Sequence, residues 1–255
     1  MHKLSVGCLF RNEEHSIVEW IEHYLHHGVE HFYIINDDSD DSSCKLLEPY
    51  IKNGVVTLFD AKWDKYFGRQ RDMYNHYILP LVNETKWLLI VDMDEYVWSP
   101  MNENLLNILD QCSHIGQIQI EHTIFGSSGY EEQPKSIVNS FIKRSIDSPT
   151  TNPGNRKYFI NCNYKFNSLN VHHATFINKY EEENNFMLLN DPYFKMNHYC
   201  CQSQNFWNNV KCNRGDSNSY RIRSVSDFEK IDINDVTDTD LLNQNIPVLT
   251  KLNLL

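Results

Sequence analysis

The feature that most constrains the fold is a regular alternation of apolar runs and amphipathic segments along the first part of the chain. Apolar runs predict strands at residues 4–10, 31–36, 55–59 and 87–91. Segments with helical periodicity separate these runs. Strands and helices that alternate with short connections are typical of a parallel sheet covered by helices on both faces. We therefore predict an α/β fold whose ligands bind beyond the carboxyl ends of the strands.

Local signals predict where the helices begin and end. Asn12 is a candidate N-cap for the first helix, with Glu13 in its first turn, where the helix dipole favours acids. Gly28 is the expected end of this helix, because glycine tolerates the left-handed conformation that follows many helices. The second helix is predicted over residues 42–52 and the third over residues 69–81.

The regular pattern weakens after residue 101. A further helix is predicted near residues 105–109, and apolar and polar residues alternate from residue 116. KYFIN, residues 157–161, is predicted to be one strand of a hairpin in a stretch that is otherwise loop. Because no repeat or linker interrupts the chain, we predict one domain over residues 1–255, with a mostly parallel sheet and a mixed C-terminal half.

Composition disfavours several classes of function. The net charge of −11 and pI of about 5.5 disfavour nucleic acid as a partner, because an acidic surface repels phosphate backbones. No run approaches the roughly 20 apolar residues of a membrane span. The N-terminus does not resemble a signal peptide, and the seven cysteines are scattered without a CxxC pair. We therefore predict a soluble protein in a reducing compartment, in which an anionic substrate would require local cations or a metal ion.

An acidic cluster follows the fourth predicted strand. In KWLLIVDMDEYVW, residues 86–98, an apolar run ends in Asp92 and Asp94. Residues two apart on a continuing strand share a face, so the two carboxylates could hold Mg²⁺ or Mn²⁺ together. The alternative is a solvated turn after a buried strand. The position at a strand end favours the metal site.

A second acidic segment, IINDDSDDSS, follows the second predicted strand. Asp37 and Asp38 are candidates to bind a base N–H or ribose hydroxyls, because ionised carboxylates act only as acceptors. The alternative is an acidic turn with Ser42 as the cap of the next helix, and the two interpretations are compatible. Calcium binding is a weaker alternative, because no Gly or later Glu follows in register.

Other candidate ligands are basic or amide side chains near predicted helix starts and in MNHYCCQSQNFWNNVKCNRG, residues 196–215. Taken singly, each is more often an ordinary surface or structural group. Together they supply candidates for phosphate contact and for a metal ligand. The phosphate candidates are Arg11, Gln70, Arg71, Lys211 and Arg214, and the candidate metal ligand is His198.

These stretches occur in an order that resembles glycosyltransferase family 92, within the glycosyltransferase 2-like group of GT-A folds. The matching stretches are RNEEHSIVEWIEHYLHHGVEHFYIINDDSDD, GRQRDMYNHYI, KWLLIVDMDEYV, IEHTIFGSSG, VHHATF, NHY and the K-x-x-RG of residues 211–215. Their order over residues 4–216 is more specific than any single motif. The chain departs from the family where members commonly carry Trp three positions before Phe-Gly, because His122 stands there.

The resemblance implies a GT-A (Rossmann-like) domain that binds a nucleotide-sugar donor, with a UDP-sugar favoured over other nucleotide sugars, and inverts the transferred sugar. Residues 1–100 would bind the donor, 101–220 the acceptor and metal, and 221–255 would form an extension. The acceptor would be a glycan or another hydroxyl compound. Lacking the anchor of many eukaryotic members, the chain would be cytoplasmic or a soluble microbial or viral relative.

Site roles also follow from the resemblance. Asp92 would contact ribose and metal, Asp94 would ligate Mn²⁺ or Mg²⁺, and His198 would complete the metal shell, with His172 as the fallback. Asp37 would bind the nucleoside. The remaining donor contacts would come from Arg11, Asn12, Glu13, Asp38, Gln70, Arg71, Lys211 and Arg214.

The sequence leaves the catalytic base and two other functions open. Inversion needs a general base within hydrogen-bond reach of the acceptor hydroxyl. Asp191 is the predicted base, with Glu121 and Glu181 as alternatives, because a raised pKa can bring a carboxylate near neutrality. A nucleotidyltransferase would also use paired acids, but FRNEE lacks the glycines of its phosphate loop. An inactive module that binds glycans or nucleotides is the other alternative.

Overall fold

The computed structural model describes residues 1–147, 156–214 and 223–255. Strands and helices alternate at first and become shorter later. The strands are β1 His2–Phe10, β2 His31–Asn36, β3 Val56–Asp60, β4 Thr85–Ile90, β5 Glu95–Trp98, β6 Gln117–Ile120, β7 Thr123–Ile124, β8 Lys143–Arg144, β9 Lys157–Asn161, β10 Phe166–Leu169, β11 Ala174–Phe176, β12 Phe186–Leu188, β13 Lys195–His198 and β14 Val236–Thr237. The α-helices are α1 Ile17–His26, α2 Ser43–Lys52, α3 Arg69–Met73, α4 Leu105–Gln111, α5 Ile137–Ser140, α6 Lys179–Asn184, α7 Gln204–Phe206, α8 Cys212–Arg214, α9 Val225–Ile231, α10 Asp240–Gln244 and α11 Ile246–Leu252.

The main sheet confirms the predicted α/β class. Its strand order within the described residues is β12-β6-β9-β4-β1-β2-β3. Strands β1 to β4 pair in parallel, as do β6 and β12, whereas β9 is antiparallel to both of its neighbours. The sheet is therefore mostly parallel, and the carboxyl ends of β1, β2, β4 and β6 share one edge with the start of β9.

Apolar side chains cover both faces of this sheet. One layer joins β1, β2 and β4 to α1, α2 and α4, and the other joins them to the segment after α3. Gly7 in β1 marks a close approach, because a Cβ there would lie 2.7 Å from Ile90 Cδ1 and 3.0 Å from Ile78 Cδ1. A larger residue would push β1 away from its packing layer.

The structure corrects the predicted start of the first helix. Helix α1 begins at Ile17, and Asn12 lies before it with a positive φ of 55°. Asn12 donates from Nδ2 to Asp40 Oδ1 at 2.6 Å, so it ties the loop after β1 to the loop after β2 instead of capping α1. The predicted end is confirmed, because Gly28 follows α1 with φ of 96°.

The predicted third helix is interrupted. Only Arg69–Met73 is α-helical; Tyr74–Ile78 forms a π-helical turn and Leu79–Glu84 a 3₁₀ helix. Pro80 lies at the start of the 3₁₀ segment, and its missing N–H prevents a continuous α-helix. The prediction of a helix over residues 69–81 was therefore right about the position of the helical segment but wrong that it is one continuous α-helix.

The second half departs most from the prediction. Strand β9 is not part of a hairpin, because it lies between β4 and β6 in the main sheet. Strand β5, which follows β4 in the chain, belongs to a second sheet with the order β5-β13-β7. In it, His198 of β13 lies opposite Glu95 of β5.

The C-terminal residues pack on the first helix. Asn245, just before α11, contacts His23 of α1 and His27, which directly follows α1. Among the described helices, none combines the length and hydropathy that a bilayer crossing demands. The predicted division of the chain at residues 100 and 220 stays a prediction.

Candidate active site

A cavity of about 340 Å³ opens at the carboxyl edge of the main sheet. Its lining is rich in ionisable side chains. Among the described residues, the basic ones are Arg11, Lys65, Arg69, Lys211, Arg214 and Arg223, and the acidic ones are Glu13, Asp37, Asp92, Asp94 and Glu95. Three histidines, His122, His172 and His198, also line it. A chain with a net charge of −11 thus has more basic than acidic side chains around this opening.

Asp92 and Asp94 lie in a turn and not on a continuing strand, which corrects the prediction. Strand β4 ends at Ile90, and the Glu95 N–H donates to the Asp92 carbonyl at 3.2 Å. The Asp92 N–H in turn donates to Glu95 Oε2 at 2.8 Å. This turn joins β4 to β5. The turn, and not the alternation of side chains along a strand, brings both aspartate side chains to the cavity.

Asp92 is held by an amide and an ammonium group. Gln70 Nε2 donates to Asp92 Oδ1 at 2.9 Å, and Lys157 Nζ donates to Asp92 Oδ2 at 2.7 Å. Lys157 begins β9, which runs antiparallel to β4 and so starts at the carboxyl end of β4. Burial alone would raise the pKa of Asp92, but Lys157 outweighs burial and holds that pKa below its usual value.

Asp94 is paired with residues from the C-terminal part of the chain. Lys211 Nζ donates to Asp94 Oδ2 at 2.8 Å, and His198 Nε2 lies 3.6 Å from Asp94 Oδ1. Burial opposes ionisation here as well, yet Lys211 and His198 hold the pKa of Asp94 well below its usual range. Burial would lower the pKa of His198, but Cys200 and Asp94 raise it to about 9.

Glu95 is the third carboxylate of the turn and is buried. Lys157 Nζ lies 3.5 Å from Glu95 Oε2, so one ammonium serves both Asp92 and Glu95. Burial raises the pKa of Glu95 to about 7, and the attraction of Lys157 only partly offsets it. Glu95 therefore lines the cavity and also supports the turn by accepting from the Asp92 N–H.

Two histidines meet beside these carboxylates. His122 follows β6, and its Nδ1 lies 3.0 Å from His198 Nδ1. One ligand atom from each of Glu95, His122 and His198 lies within 4.8 Å of the others. Burial, with His198 alongside, lowers the pKa of His122 to about 3, so its imidazole is neutral.

Asp37 and Arg69 form a buried ion pair at another side of the cavity. Arg69 Nη2 donates to Asp37 Oδ2 at 2.5 Å, and both side chains are almost fully buried. Burial raises the pKa of Asp37 despite the attraction of Arg69. Asp37 Oδ1 is buried without a hydrogen-bond partner in the described structure. An unsatisfied acceptor beside an opening is suited to a ligand N–H or O–H.

Arg214 links the C-terminal part of the chain to the loop after β1. Its Nη1 donates to the Arg11 carbonyl at 2.5 Å and to Glu13 Oε1 at 2.8 Å. Arg11, Glu13 and Arg214 all line the cavity, as predicted for donor contacts. Gly215, the last residue of the K-x-x-RG motif, lies outside the described residues.

Three predicted donor contacts lie outside the cavity lining. Asn12 bonds to the loop after β2, Asp38 is exposed, and Arg71 pairs with Asp72 on the surface at 2.9 Å. Each of the three is adjacent in sequence to a residue that does line the cavity. The sequence therefore identified the correct segments but not the correct side chains within them.

The predicted catalytic base also lies outside this lining. Asp191 is 63 % exposed in its side chain and lies 3.5 Å from Lys195 Nζ. Glu121 accepts from Arg156 at 3.0 Å and from Asn190 at 2.8 Å, and Glu181 lies in the first turn of α6. None of the three carboxylates is among the described residues that line the cavity, and the base stays a prediction.

Sequence reasoning missed Lys157, Arg69 and the role of Glu95. Arg69 directly precedes the predicted Gln70, and Glu95 directly follows Asp94, so both were within reach of the motifs. Lys157 is 1 % exposed at the start of an apolar strand, and a lysine at such a position needs a buried carboxylate partner. That signal was present in KYFIN, but it could not identify which carboxylate.

Comparison with known proteins gives a consistent result. A family model for glycosyltransferase family 92 matches residues 4–241. The glycosyltransferase family 92 protein Os08g0121900 of Oryza sativa subsp. japonica is 27 % identical over 152 residues, which are 58 % of this chain and 26 % of that protein. Galactan beta-1,4-galactosyltransferase GALS3 of Arabidopsis thaliana is 26 % identical over 114 residues, 40 % of this chain and 22 % of that protein. The chain thus spans about a quarter of the length of these curated relatives.

Solved structures also resemble the chain, at a low level of similarity. S. aureus TarS 1-349 in complex with UDP-GlcNAc matches with a TM-score of 0.48 and 14 % identity, over 96 % of this chain and 73 % of that chain. The same protein in complex with UDP matches with a TM-score of 0.46 and 15 % identity, over 76 % of this chain and 60 % of that chain.

Proposed function

The chain belongs to glycosyltransferase family 92, and from this membership we propose that it moves a sugar from a nucleotide-sugar donor to a hydroxyl group of a glycan-type acceptor. The single observation that carries the proposal is the cavity at the carboxyl edge of the sheet. There, an acidic protein gathers basic side chains around two aspartates that follow a central strand. A UDP-sugar is the proposed donor, and the name of the galactan galactosyltransferases makes UDP-galactose the first to test.

The diphosphate of the donor would lie against the basic side of the cavity. Lys211 and Arg214 both line it and come from one short helical segment, so they are placed to act together. Their charges would stabilise the negative charge that grows on the nucleotide as the sugar leaves. The nucleoside would lie toward Asp37, whose free Oδ1 can accept an N–H or O–H.

The family resemblance implies a divalent metal ion, and the side chains here are of a type that fits one. Asp94 offers carboxylate oxygens, and His198 Nε2 lies 3.6 Å from one of them. We propose that Asp92, Asp94 and His198 hold Mn²⁺ or Mg²⁺. When bound, the ion would offset the charge of the donor diphosphate.

The transfer is proposed to invert the anomeric centre. The acceptor hydroxyl would attack that carbon from the face opposite the nucleotide, while a base within hydrogen-bond reach takes the hydroxyl proton. Asp191 is the predicted base, and an Asp191→Asn variant tests it. The ¹H NMR coupling constant of the product's anomeric proton, compared with that of the donor, reports inversion directly.

The experiment that tests the proposal is a donor and acceptor screen with and without Mn²⁺. UDP release is measured with UDP-galactose, other UDP-sugars and β-1,4-galactan fragments as acceptors. We expect metal-dependent turnover that an Asp94→Asn variant lowers by about 100-fold or more, because one hydrogen-bonded carboxylate of the site is lost. Asp110→Asn is the matched control, because Asp110 lies in α4 and its ion pair in the described part of the chain is with Lys86 on the surface.

Two results would contradict the proposed activity, and a third would contradict the role of Asp94. Release of pyrophosphate from a nucleoside triphosphate and a sugar phosphate would identify a nucleotidyltransferase. Nucleotide binding without turnover across the whole acceptor panel would identify a binding module. Full activity of a folded Asp94→Asn protein would refute the role of Asp94.

A further inference from the structure

His122 is a buried side chain whose chemistry the proposed donor contacts do not use. It is 4 % exposed, lines the cavity, and follows β6 at the same sheet edge as Asp92. Its Nδ1 lies 3.0 Å from His198 Nδ1, and its Nε2 is buried without a hydrogen-bond partner in the described structure. A buried polar atom without a partner costs about 1–3 kcal/mol, so the surroundings of this ring are incomplete without a ligand.

The other buried histidine pair of the molecule provides a contrast. His23 and His27 share the side chain of Asn245, and His23 also contacts the Val97 carbonyl at 3.0 Å. Those rings face groups that satisfy them as neutral imidazoles. His122 and His198 instead direct their Nδ1 atoms at each other, so one proton must lie between them, and Nε2 of His122 has no partner in the described structure.

The carboxylates near His122 are already in contact with ammonium groups. Lys157 donates to Asp92 at 2.7 Å and Lys211 donates to Asp94 at 2.8 Å. A cation that relied on these oxygens alone would compete with both lysines. The imidazole nitrogens add ligand atoms for which no ammonium competes. One nitrogen of each ring lies within 4.8 Å of the other and of a Glu95 oxygen, so both rings can reach one ion at metal–nitrogen distances of about 2.1 Å.

We infer that His122 is a metal ligand of this chain and acts with His198 and the carboxylates of the turn in a centre with two imidazoles. This inference rests on the proposed metal site and adds a residue to it. Its consequence is selectivity. Mg²⁺ prefers oxygen ligands and retains its water, whereas imidazole suits first-row transition ions. The centre therefore prefers Mn²⁺ or Co²⁺ to Mg²⁺.

The test measures metal binding to the whole chain without nucleotide. Isothermal calorimetry with MnCl₂, CoCl₂ and MgCl₂ should give the wild-type protein an affinity for Mn²⁺ and Co²⁺ about tenfold or more above that for Mg²⁺. His122→Gln should lower Mn²⁺ affinity about tenfold and remove most of this preference, since one nitrogen ligand is lost. His173→Gln is the control and should leave Mn²⁺ affinity unchanged, because His173 is exposed and is not among the described residues that line the cavity.

Electron spin-echo spectroscopy of the Mn²⁺-bound wild-type protein provides a second measurement that needs no variant. It should detect two coupled ¹⁴N nuclei, and a single nitrogen would overturn the inference even if His122→Gln failed to fold. Unchanged Mn²⁺ affinity in His122→Gln, together with a loss in Asp94→Asn, would also overturn it while leaving the proposed function intact. No metal binding by the wild-type protein, with UDP-sugar turnover retained, would refute both the inference and the metal dependence.

Discussion

Two groups of buried polar side chains in this molecule differ in how completely their atoms are satisfied. The helix cluster, His23, His27 and Asn245, is neutral and lies between α1 and α11. Asn245 Nδ2 donates to His23 Nδ1 at 3.0 Å, and His27 Nε2 donates to Asn245 Oδ1 at 3.0 Å. Each contact pairs a donor with an acceptor, so the cluster holds two helices together without needing a ligand.

The cavity cluster, Asp92, Asp94, Glu95, Lys157 and Lys211, is ionic and lies at an opening. Unpartnered atoms of Asp37 and His122 flank it, whereas the helix cluster has no such atoms among the described residues. Buried polar groups are normally satisfied, and exceptions concentrate where a ligand completes them. The helix cluster thus stabilises the fold, whereas the cavity cluster is arranged to bind a ligand.

The largest effect is expected from removing the shared ammonium of the cavity cluster. Lys157→Met would leave Asp92 and Glu95 without the cation that both contact. Breaking a buried ion pair on one side typically costs about 3–5 kcal/mol, so the free energy of unfolding should fall by about that amount. Urea denaturation of the purified protein measures it.

Lys195→Met is the matched control for this prediction. Lys195 also begins a strand and contacts two carboxylates, Asp191 and Asp240, but its side chain is 25 % exposed. Such a pair contributes about 1 kcal/mol or less. Equal losses in the two variants would show that the cavity cluster is no more tightly coupled than an ordinary surface pair.

Acid should act on the helix cluster. Burial lowers the pKa of His27 to about 4 and holds that of His23 well below its usual value. In the unfolded chain both rings titrate near 6.5, so the unfolded state binds more protons between pH 6.5 and pH 4. Stability should therefore be lost as pH falls through this window, with a contribution from His27 of up to about 3 kcal/mol.

The difference between variants isolates this contribution from that of the carboxylates. In His27→Gln, which can still donate to Asn245, the free energy of unfolding should depend less on pH between 4 and 6.5. His26→Gln is the control, because His26 is the adjacent residue and is exposed. An identical pH dependence in wild type and His27→Gln would mean that His27 is protonated at the same pH in the folded protein as in the unfolded chain.

Sequence patterns predicted β1 to β4, which alternate with helices, better than the strands of the second half of the chain that complete the same sheet. The segments β1 to β4 have local periodicity and short connections, so each element could be recognised by itself. Strand β9 has its partners far away in sequence, and KYFIN is equally compatible with a hairpin and with the centre of a sheet. Its placement depends on nonlocal pairing with Trp87 to Ile90, which no local pattern encodes.

The candidate site shows the same division. Asp37, Asp92 and Asp94 directly follow parallel strands, so the rule for carboxyl ends predicted their meeting. Lys157 and His198 arrive on antiparallel strands, and only the register of β9 and β13 brings them to Asp92 and Asp94. Asn12 could not be predicted correctly, because the side-chain oxygen that would cap a helix can equally accept from a loop, and here it accepts from the Asp40 N–H at 3.0 Å.

A smaller effect is expected on nucleotide binding from Asp37. Asp37→Asn keeps the shape and can still accept from Arg69, but it replaces an acceptor by an amide donor at the position of the unpartnered Oδ1. A hydrogen bond to a charged group is worth about 1.5–3 kcal/mol, so UDP affinity should fall about ten- to hundredfold. Calorimetry measures the affinity, and Asp38→Asn, the exposed neighbour, should leave it unchanged.

The smallest effect is expected from Arg71, which tests where the cavity cluster ends. Its side chain is 49 % exposed and pairs only with the adjacent Asp72 in the described contacts, although Gln70 beside it contacts Asp92. Surface pairs contribute little, so Arg71→Ala should change the free energy of unfolding by less than about 0.5 kcal/mol and leave UDP affinity unchanged. Lys211→Ala should weaken the same binding. If Arg71→Ala and Lys211→Ala weakened UDP binding equally, the donor would extend beyond the described lining. Position next to a lining residue in the sequence would then predict ligand contacts as well as the geometry of the cavity does.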